Sequence, residues 1–167
     1  KTRIGFDNVE NFEYLDSFVK KILKAGSKTI ILHARKAVLK GLTPKENLKI
    51  PKLNYPLVYE IKKANNKSEI IINGGITKCS EIKKHLKECD GVMIGRAIYQ
   101  NPYFLAEIER EIFNNQKVLS RSEIAEQLVE YVKDEIKNGT RVNQIMRHTV
   151  GLYHGQNGAN KWKRFLS

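Results

Sequence analysis

Along the first hundred residues, apolar positions recur with two periods that take turns. Phe12, Leu15, Phe18, Val19, Ile22 and Leu23 fall on one helical face that runs to about Lys24, and Gly26 follows as a stop. Asp7 or Asn8 is the expected cap of that helix. Thr29-Ile30-Ile31-Leu32-His33 is a short, nearly continuous apolar run, the pattern of a strand buried on both faces. A long loop from Ala34 to about Tyr55 carries Gly41, Pro44 and Pro51, and Pro56 then suits the first turn of a helix through Leu57, Val58 and Ile61. Glu69-Ile70-Ile71-Ile72-Asn73 repeats the strand pattern and ends in Gly74-Gly75. Thr77 is placed to cap a helix with Ile82, His85 and Leu86 inward. Gly91-Val92-Met93-Ile94 is the next strand and ends in Gly95-Arg96. Lys1–Gly5 reads as the tail of a strand cut from its beginning. Strands separated by helices in this way imply α/β architecture, a parallel sheet with right-handed crossovers.

After Asn101-Pro102 the strand signal stops. A helix is expected around Tyr103–Phe113, followed by the polar break Asn114-Asn115-Gln116. Ser120 and Glu123 make an S-x-x-E capping pair for a helix with Ile124, Leu128, Val132 and Ile136 on one face, ended by Asn138-Gly139. Two further helical stretches are expected, roughly 141–152 and 159–165. A boundary near residue 114 therefore separates four β/α units (1–113) from a small helical domain (114–167). Four units can build a doubly wound open sheet, or they can be the second half of an eight-stranded (β/α)8 TIM barrel whose first four units are absent.

Composition narrows the function class. With 167 residues, 41% of them hydrophobic, the chain can bury a real core, which argues against disorder. No apolar run approaches the roughly 20 residues that span a bilayer, so no membrane helix is expected. Two cysteines, Cys79 and Cys89, make neither a disulfide scaffold nor a four-ligand zinc site, so no metal is expected and a reduced, cytoplasmic setting is the default, an organelle not being excluded. The formal net charge of +12 favours a polyanionic partner. From Lys137 to Ser167 there are six Lys and Arg (Lys137, Arg141, Arg147, Lys161, Lys163, Arg164) and no Asp or Glu. Tyr153 and Trp162 stand among them, and cations beside aromatic surfaces suit phosphate backbones and unstacked bases. Trp162 reads equally well as a core residue. Arg35, Lys36 and Lys40 add charge at the mouth of the sheet, so that two basic surfaces would grip a folded RNA while one base is flipped out.

The strand ends carry the candidate chemistry. In β/α barrels phosphate groups bind at the loops after the last two strands. Here those strands end in Asn73-Gly74-Gly75 and Gly95-Arg96. Glycine lets backbone N–H groups approach an anion, and arginine supplies a forked, permanent charge. His33 occupies the corresponding end of its strand, and Lys1 has the same address one strand earlier. Lys1, His33, Asn73 and Arg96 would form an arc of donors around one phosphorylated cofactor, and a flavin fits, because Lys and His stabilise its anionic reduced form.

A set of ordered segments covering essentially the whole chain resembles the tRNA-dihydrouridine synthases. They are Lys1-Thr2-Arg3-Ile4-Gly5, Ile31 to Ala37 (I-L-H-A-R-K-A), Gly41 to Asn47 (G-L-T-P-K-E-N), Ile72 to Ile76 (I-N-G-G-I), Asp90 to Ala97 (D-G-V-M-I-G-R-A), Tyr99 to Pro102, and Arg147-His148 through Gly151–Gly155 to Gly158-Ala159. The H-A-R-K-A segment, the loop and the tail point to the DusA-like branch. The resemblance implies an FMN enzyme with a catalytic TIM barrel and a C-terminal helical domain that binds tRNA. It implies NADPH as the reductant, hydride transfer from flavin to one end of the uracil C=C bond of a D-loop uridine (positions 20/20a), and protonation of the other end by a cysteine. It places Lys1 and His33 on the flavin or its ribityl-phosphate chain, and Asn73, Gly74, Gly75, Gly95 and Arg96 on the phosphate. Arg147, His148, Lys161, Lys163 and Arg164, with Arg35, Lys36 and Lys40, fall to RNA binding.

The family's proton-donating cysteine lies in an N-x-G-C-P-type motif of the first half of the barrel, and no such motif occurs here. Cys79 and Cys89 flank a helix and read as ordinary packing or surface residues, so no catalytic residue is assigned in this chain. The chain reads as a C-terminal portion that does not turn over alone, binds flavin weakly or not at all, and is prone to self-association through its open strand edges. Two other readings remain at this stage, a flavin dehydrogenase of a small molecule and a non-catalytic RNA-binding remnant. The basic, acid-free tail speaks against the former.

Overall fold

The computed structural model describes residues 1–166. Strands β1 (Thr2–Arg3), β2 (Thr29–His33), β3 (Glu69–Asn73) and β4 (Gly91–Met93) form one sheet in chain order, and every neighbouring pair is parallel. Helices α1 (Phe12–Lys24), α2 (Tyr55–Ala64) and α3 (Cys79–His85) make the crossovers. The α/β reading and the parallel sheet are therefore what the chain adopts.

Strand alternation divides the sheet into two faces. Ile30, Leu32, Ile70 and Ile72 share one face and are buried, as are Leu15 and Val19 of α1 and Leu57, Val58 and Ile61 of α2. Ile31, His33, Ile71 and Asn73 share the other face, where Ile31 and Ile71 are only half-buried. Polar ties fix the helices. Asn65, just past α2, donates from Nδ2 to Asp16 of α1 at 2.9 Å, and Lys20 pairs with the same carboxylate at 2.7 Å. Asp90 accepts the Ile70 amide at 2.8 Å and pairs with Lys62 at 2.7 Å, which joins α2, β3 and the start of β4.

Helix starts differ from expectation in identifiable ways. Asn11, not Asp7 or Asn8, caps α1 by accepting the Tyr14 amide at 2.9 Å. The residues before it are taken up by a Phe6–Val9 bridge, and Asp7 sits at φ +44° with its carboxylate on the Leu39 amide. Lys78, not Thr77, is the N-cap position of α3. Leu86 follows His85 at the end of that helix and is exposed rather than inward.

The chain forms two compact units, Lys1–Ile94 and the residues from Gly95 onward. All elements of the second are helices: α4 (Arg96–Gln100), α5 (Phe104–Glu111), α6 (Arg121–Lys137), α7 (Val142–Met146) and α8 (Ala159–Leu166). The second unit begins before the 113/114 boundary expected from the loss of the strand signal, and within it α4 and α5 pack with residues further along the chain. The Arg121 guanidinium lies 3.7 Å from the Tyr103 ring centre, and a Cβ on Gly151 would stand 2.3 Å from the Gln100 carbonyl oxygen. The Ser120/Glu123 pair forms the reciprocal capping box expected of it, at 2.7 and 3.3 Å. The stretch expected as one helix over 141–152 is helical only through Met146 and continues as turns.

Candidate functional site

β2 and β3 end together. His33 and Asn73 are register partners on the half-open face, and both are about nine-tenths buried. Asn73 donates from Nδ2 to the Met93 carbonyl of β4 at 2.8 Å, and its own carbonyl accepts the Ala34 amide at 2.8 Å. One asparagine thus fixes the ends of three strands.

Beyond Asn73 the backbone enters the left-handed half of φ space, +124° at Gly74 and +71° at Gly75. A Cβ on Gly74 would lie 2.8 Å from Leu53 Cδ2 and 2.9 Å from His33 Cδ2, and one on Gly75 would lie 2.6 Å from Leu53 Cδ1. Only glycine fits both the conformation and the space. The Tyr55 hydroxyl donates to the Gly74 carbonyl at 2.7 Å. Gly75 is exposed, and its amide finds no hydrogen-bond acceptor among the described residues.

The next turn is closed by a carboxylate. Glu81 accepts the Thr77 amide at 2.8 Å, the Lys78 amide at 3.1 Å and the Thr77 hydroxyl at 3.2 Å. The Thr77 amide bond, with the Lys78 amide and the Thr77 hydroxyl, outweighs partial burial and holds the Glu81 carboxyl below its ordinary pKa. A depressed carboxyl stabilises the fold above its ordinary value, and that contribution disappears as pH falls through the depressed one. Between pH 7 and pH 3, the urea midpoint of the wild-type chain should accordingly fall further than that of Glu81→Gln. Equal falls would show that this charge is not coupled to folding.

Of the other residues expected on a cofactor, Lys1 precedes β1 and is exposed. Gly95 and Arg96 open α4 in the second unit, Gly95 as its N-cap with nothing near a Cβ placed on it. Sequence reasoning missed Arg3, the register partner of His33. Its guanidinium donates to the Lys36 carbonyl at 2.7 Å and the Asn47 carbonyl at 3.1 Å. Position parity was the available signal, since Arg3 stands two residues after Lys1 in an extended segment.

Arg3 is one of several side chains that fasten the loop between β2 and α2. Asn47 is buried, accepts the Val38 amide at 2.7 Å and donates to the Val38 carbonyl at 2.8 Å. Arg35 donates to the Lys49 carbonyl at 3.1 Å and to the Pro51 carbonyl. Among the loop cations expected to meet RNA, Arg35 therefore binds its own loop, Lys36 pairs with Glu10 at 3.5 Å, and Lys40 is exposed.

In the second unit Arg147 donates from Nε to His148 Nε2 at 3.0 Å, and His148 Nδ1 lies 3.0 Å from the Tyr99 hydroxyl. An acceptor at Nε2 puts the neutral ring's proton on Nδ1, which then donates to the Tyr99 oxygen and leaves the phenolic proton for another acceptor. Lys161, Lys163 and Arg164 lie exposed on α8. Trp162 is half-buried, donates to the Thr149 carbonyl at 3.2 Å and rests on Tyr153 with ring centres 4.9 Å apart, so it serves packing.

Cys79, the first residue of α3, and Cys89, in the turn between α3 and β4, are both buried. Burial, reinforced by Asp90 and Glu88, pushes the Cys89 thiol up to about 11, so it stays protonated at neutral pH. Among the described residues no His, Cys, Asp and Glu side chains cluster as metal ligands, and no helix is long and apolar enough to cross a membrane.

Residues 1–167 match the family described as Dihydrouridine synthase (Dus). The whole chain is 44% identical over 168 residues to a tRNA-dihydrouridine(20/20a) synthase of Shewanella oneidensis and 45% identical to one of Synechocystis sp., covering 50% of each. A Vibrio vulnificus protein of the same description is 43% identical over 169 residues, with 52% of its length covered. The chain thus spans about half the length of the curated relatives it matches. By the match along its entire length, the chain belongs to the dihydrouridine synthase family.

Proposed function

We propose that this chain supplies the cofactor-phosphate turn and the RNA grip of an FMN-dependent tRNA-dihydrouridine synthase that reduces D-loop uridine at positions 20/20a, with NADPH as electron source. The observation that carries this reading is the identity of about 44% along the whole chain to synthases described for those positions. In this reading the four β/α units are the second half of a (β/α)8 barrel, the helices after them form the tRNA-binding domain, and the protein works in the cytoplasm.

The residues present fit a phosphorylated flavin. Asn73 and His33 stand together at adjacent strand ends, and the exposed Gly75 amide has no acceptor among the described residues. Lys1, His33 and Asn73 would face the flavin and its ribityl chain, and the Gly74–Gly75 amides its phosphate. A reduced flavin supplies hydride to one end of the uracil C=C bond. The chain's own contribution is binding and orientation, since neither Cys79 nor Cys89 stands at a strand end. Lys40, Arg147, His148, Lys161, Lys163 and Arg164 carry the RNA contacts, while Arg35 and Lys36 hold the loop between β2 and α2. The half-buried Ile31 and Ile71 face would promote self-association of the chain alone.

Filter binding of tRNA across a salt series tests the reading. A grip made of several Lys and Arg on phosphates predicts an affinity that falls about tenfold or more between 50 and 200 mM salt. An affinity indifferent to salt would sink the phosphate grip and favour a small-molecule substrate.

A further inference from the structure

Behind the glycine turn stands a cluster that the proposed cofactor contacts do not use. His85 of α3 is only 2% exposed. The Tyr55 ring meets it edge-on with centres 4.5 Å apart, and the Tyr59 hydroxyl lies 2.8 Å from its Nδ1. Both tyrosines belong to α2, four residues apart and so on one helical face. Their hydroxyls go to different places. Tyr59 ends on the histidine, whereas Tyr55 reaches past it to the Gly74 carbonyl at 2.7 Å.

The Gly74 carbonyl and the Gly75 amide belong to one planar trans peptide, so they point in opposite directions. A hydroxyl that draws the carbonyl toward α2 turns the amide away from α2. At φ +124° and +71° with two glycines, nothing else in the local backbone holds that plane, because glycine populates both signs of φ about equally. We propose that Tyr55 is a positioning residue for anion binding: braced on His85, its hydroxyl pins the Gly74–Gly75 peptide plane so that the Gly75 N–H is presented to the phosphate of a bound flavin nucleotide. This rests on the reading of the turn given under Proposed function and adds to it the residue that aims the donor.

The test uses the 167-residue chain labelled with 15N-glycine, in which each glycine amide is followed separately during titration with FMN and, in parallel, with inorganic phosphate. In the wild-type chain the Gly75 amide should move in both titrations, with Gly26 and Gly41 still. Tyr55→Phe deletes one oxygen and should weaken the FMN response at Gly75 about tenfold. Tyr59→Phe, which deletes the equivalent oxygen from the same cluster without touching Gly74, should leave it within twofold. Tyr55→Met fills the same space without a donor and replaces Tyr55→Phe if the latter does not fold. A Gly75 amide that moves equally in the wild type and the Tyr55 variant, or is weakened as much by Tyr59→Phe, overturns the positioning role and leaves the phosphate reading standing. A wild-type Gly75 amide that stays still at millimolar FMN and phosphate removes both.

Discussion

Gly75→Ala is expected to cost about 3 kcal/mol of folding stability and, on the proposed reading of the turn, to abolish phosphate binding there. The left-handed backbone costs an L-residue about 1–2 kcal/mol, and a crowded site that must shift adds a similar amount. The crowding is specific. The new methyl would stand 2.6 Å from Leu53 Cδ1 and 3.2 Å from the Tyr55 hydroxyl. Leu53 must move to admit it, and the Tyr55 hydroxyl must give by a few tenths of an ångström. Gly26→Ala is the matched control, because φ there is +101° while nothing lies within 4 Å of the added carbon. It should lose only the backbone part. Urea midpoints of the two variants measure the difference, and a Gly75→Ala chain no less stable than Gly26→Ala would refute the steric account.

Asn47→Ala is expected to cost about 2–4 kcal/mol and to release the loop between β2 and α2. The carboxamide of Asn47 serves both the amide and the carbonyl of Val38, and each buried polar group left without a partner costs about 1–3 kcal/mol. Limited proteolysis reads the effect, since cleavage between residues 36 and 50 should appear in the variant before the sheet unfolds. Asn47→Asp keeps the acceptor for the Val38 amide but loses the donor for its carbonyl, so it should fall between the two. If all three chains are cut at the same rate, the loop is held by other contacts.

The order of strands and helices was legible because buried parallel strands leave unbroken apolar runs. Ile30 to Leu32 and Ile70 to Ile72 are such runs, and their register puts His33 opposite Asn73. The glycine turn was legible for a similar reason, since two adjacent glycines after a strand announce backbone that other residues do not adopt. Side-chain commitments were not legible. Arg35 in a basic segment reads as an RNA contact, yet its guanidinium folds onto the Lys49 and Pro51 carbonyls, which no periodicity foretells. Arg3 passes unnoticed because its partners, Lys36 and Asn47, are more than thirty residues away in sequence. The short helix α4 was hidden as well, since five residues leave no helical period to detect.

The carboxylate of Glu81 has an electrostatic consequence for whatever anion the glycine turn receives. The Thr77 and Lys78 amides at the head of α3 already face a negative charge supplied from within the chain. The positive end of that helix dipole is therefore neutralised at home and lends an incoming phosphate little attraction. In the proposed site, attraction then comes from the Gly75 amide and from exposed cations such as Lys1. Recognition at this turn should accordingly weaken as electrolyte is added, more steeply than at a site where a bare helix terminus provides the field.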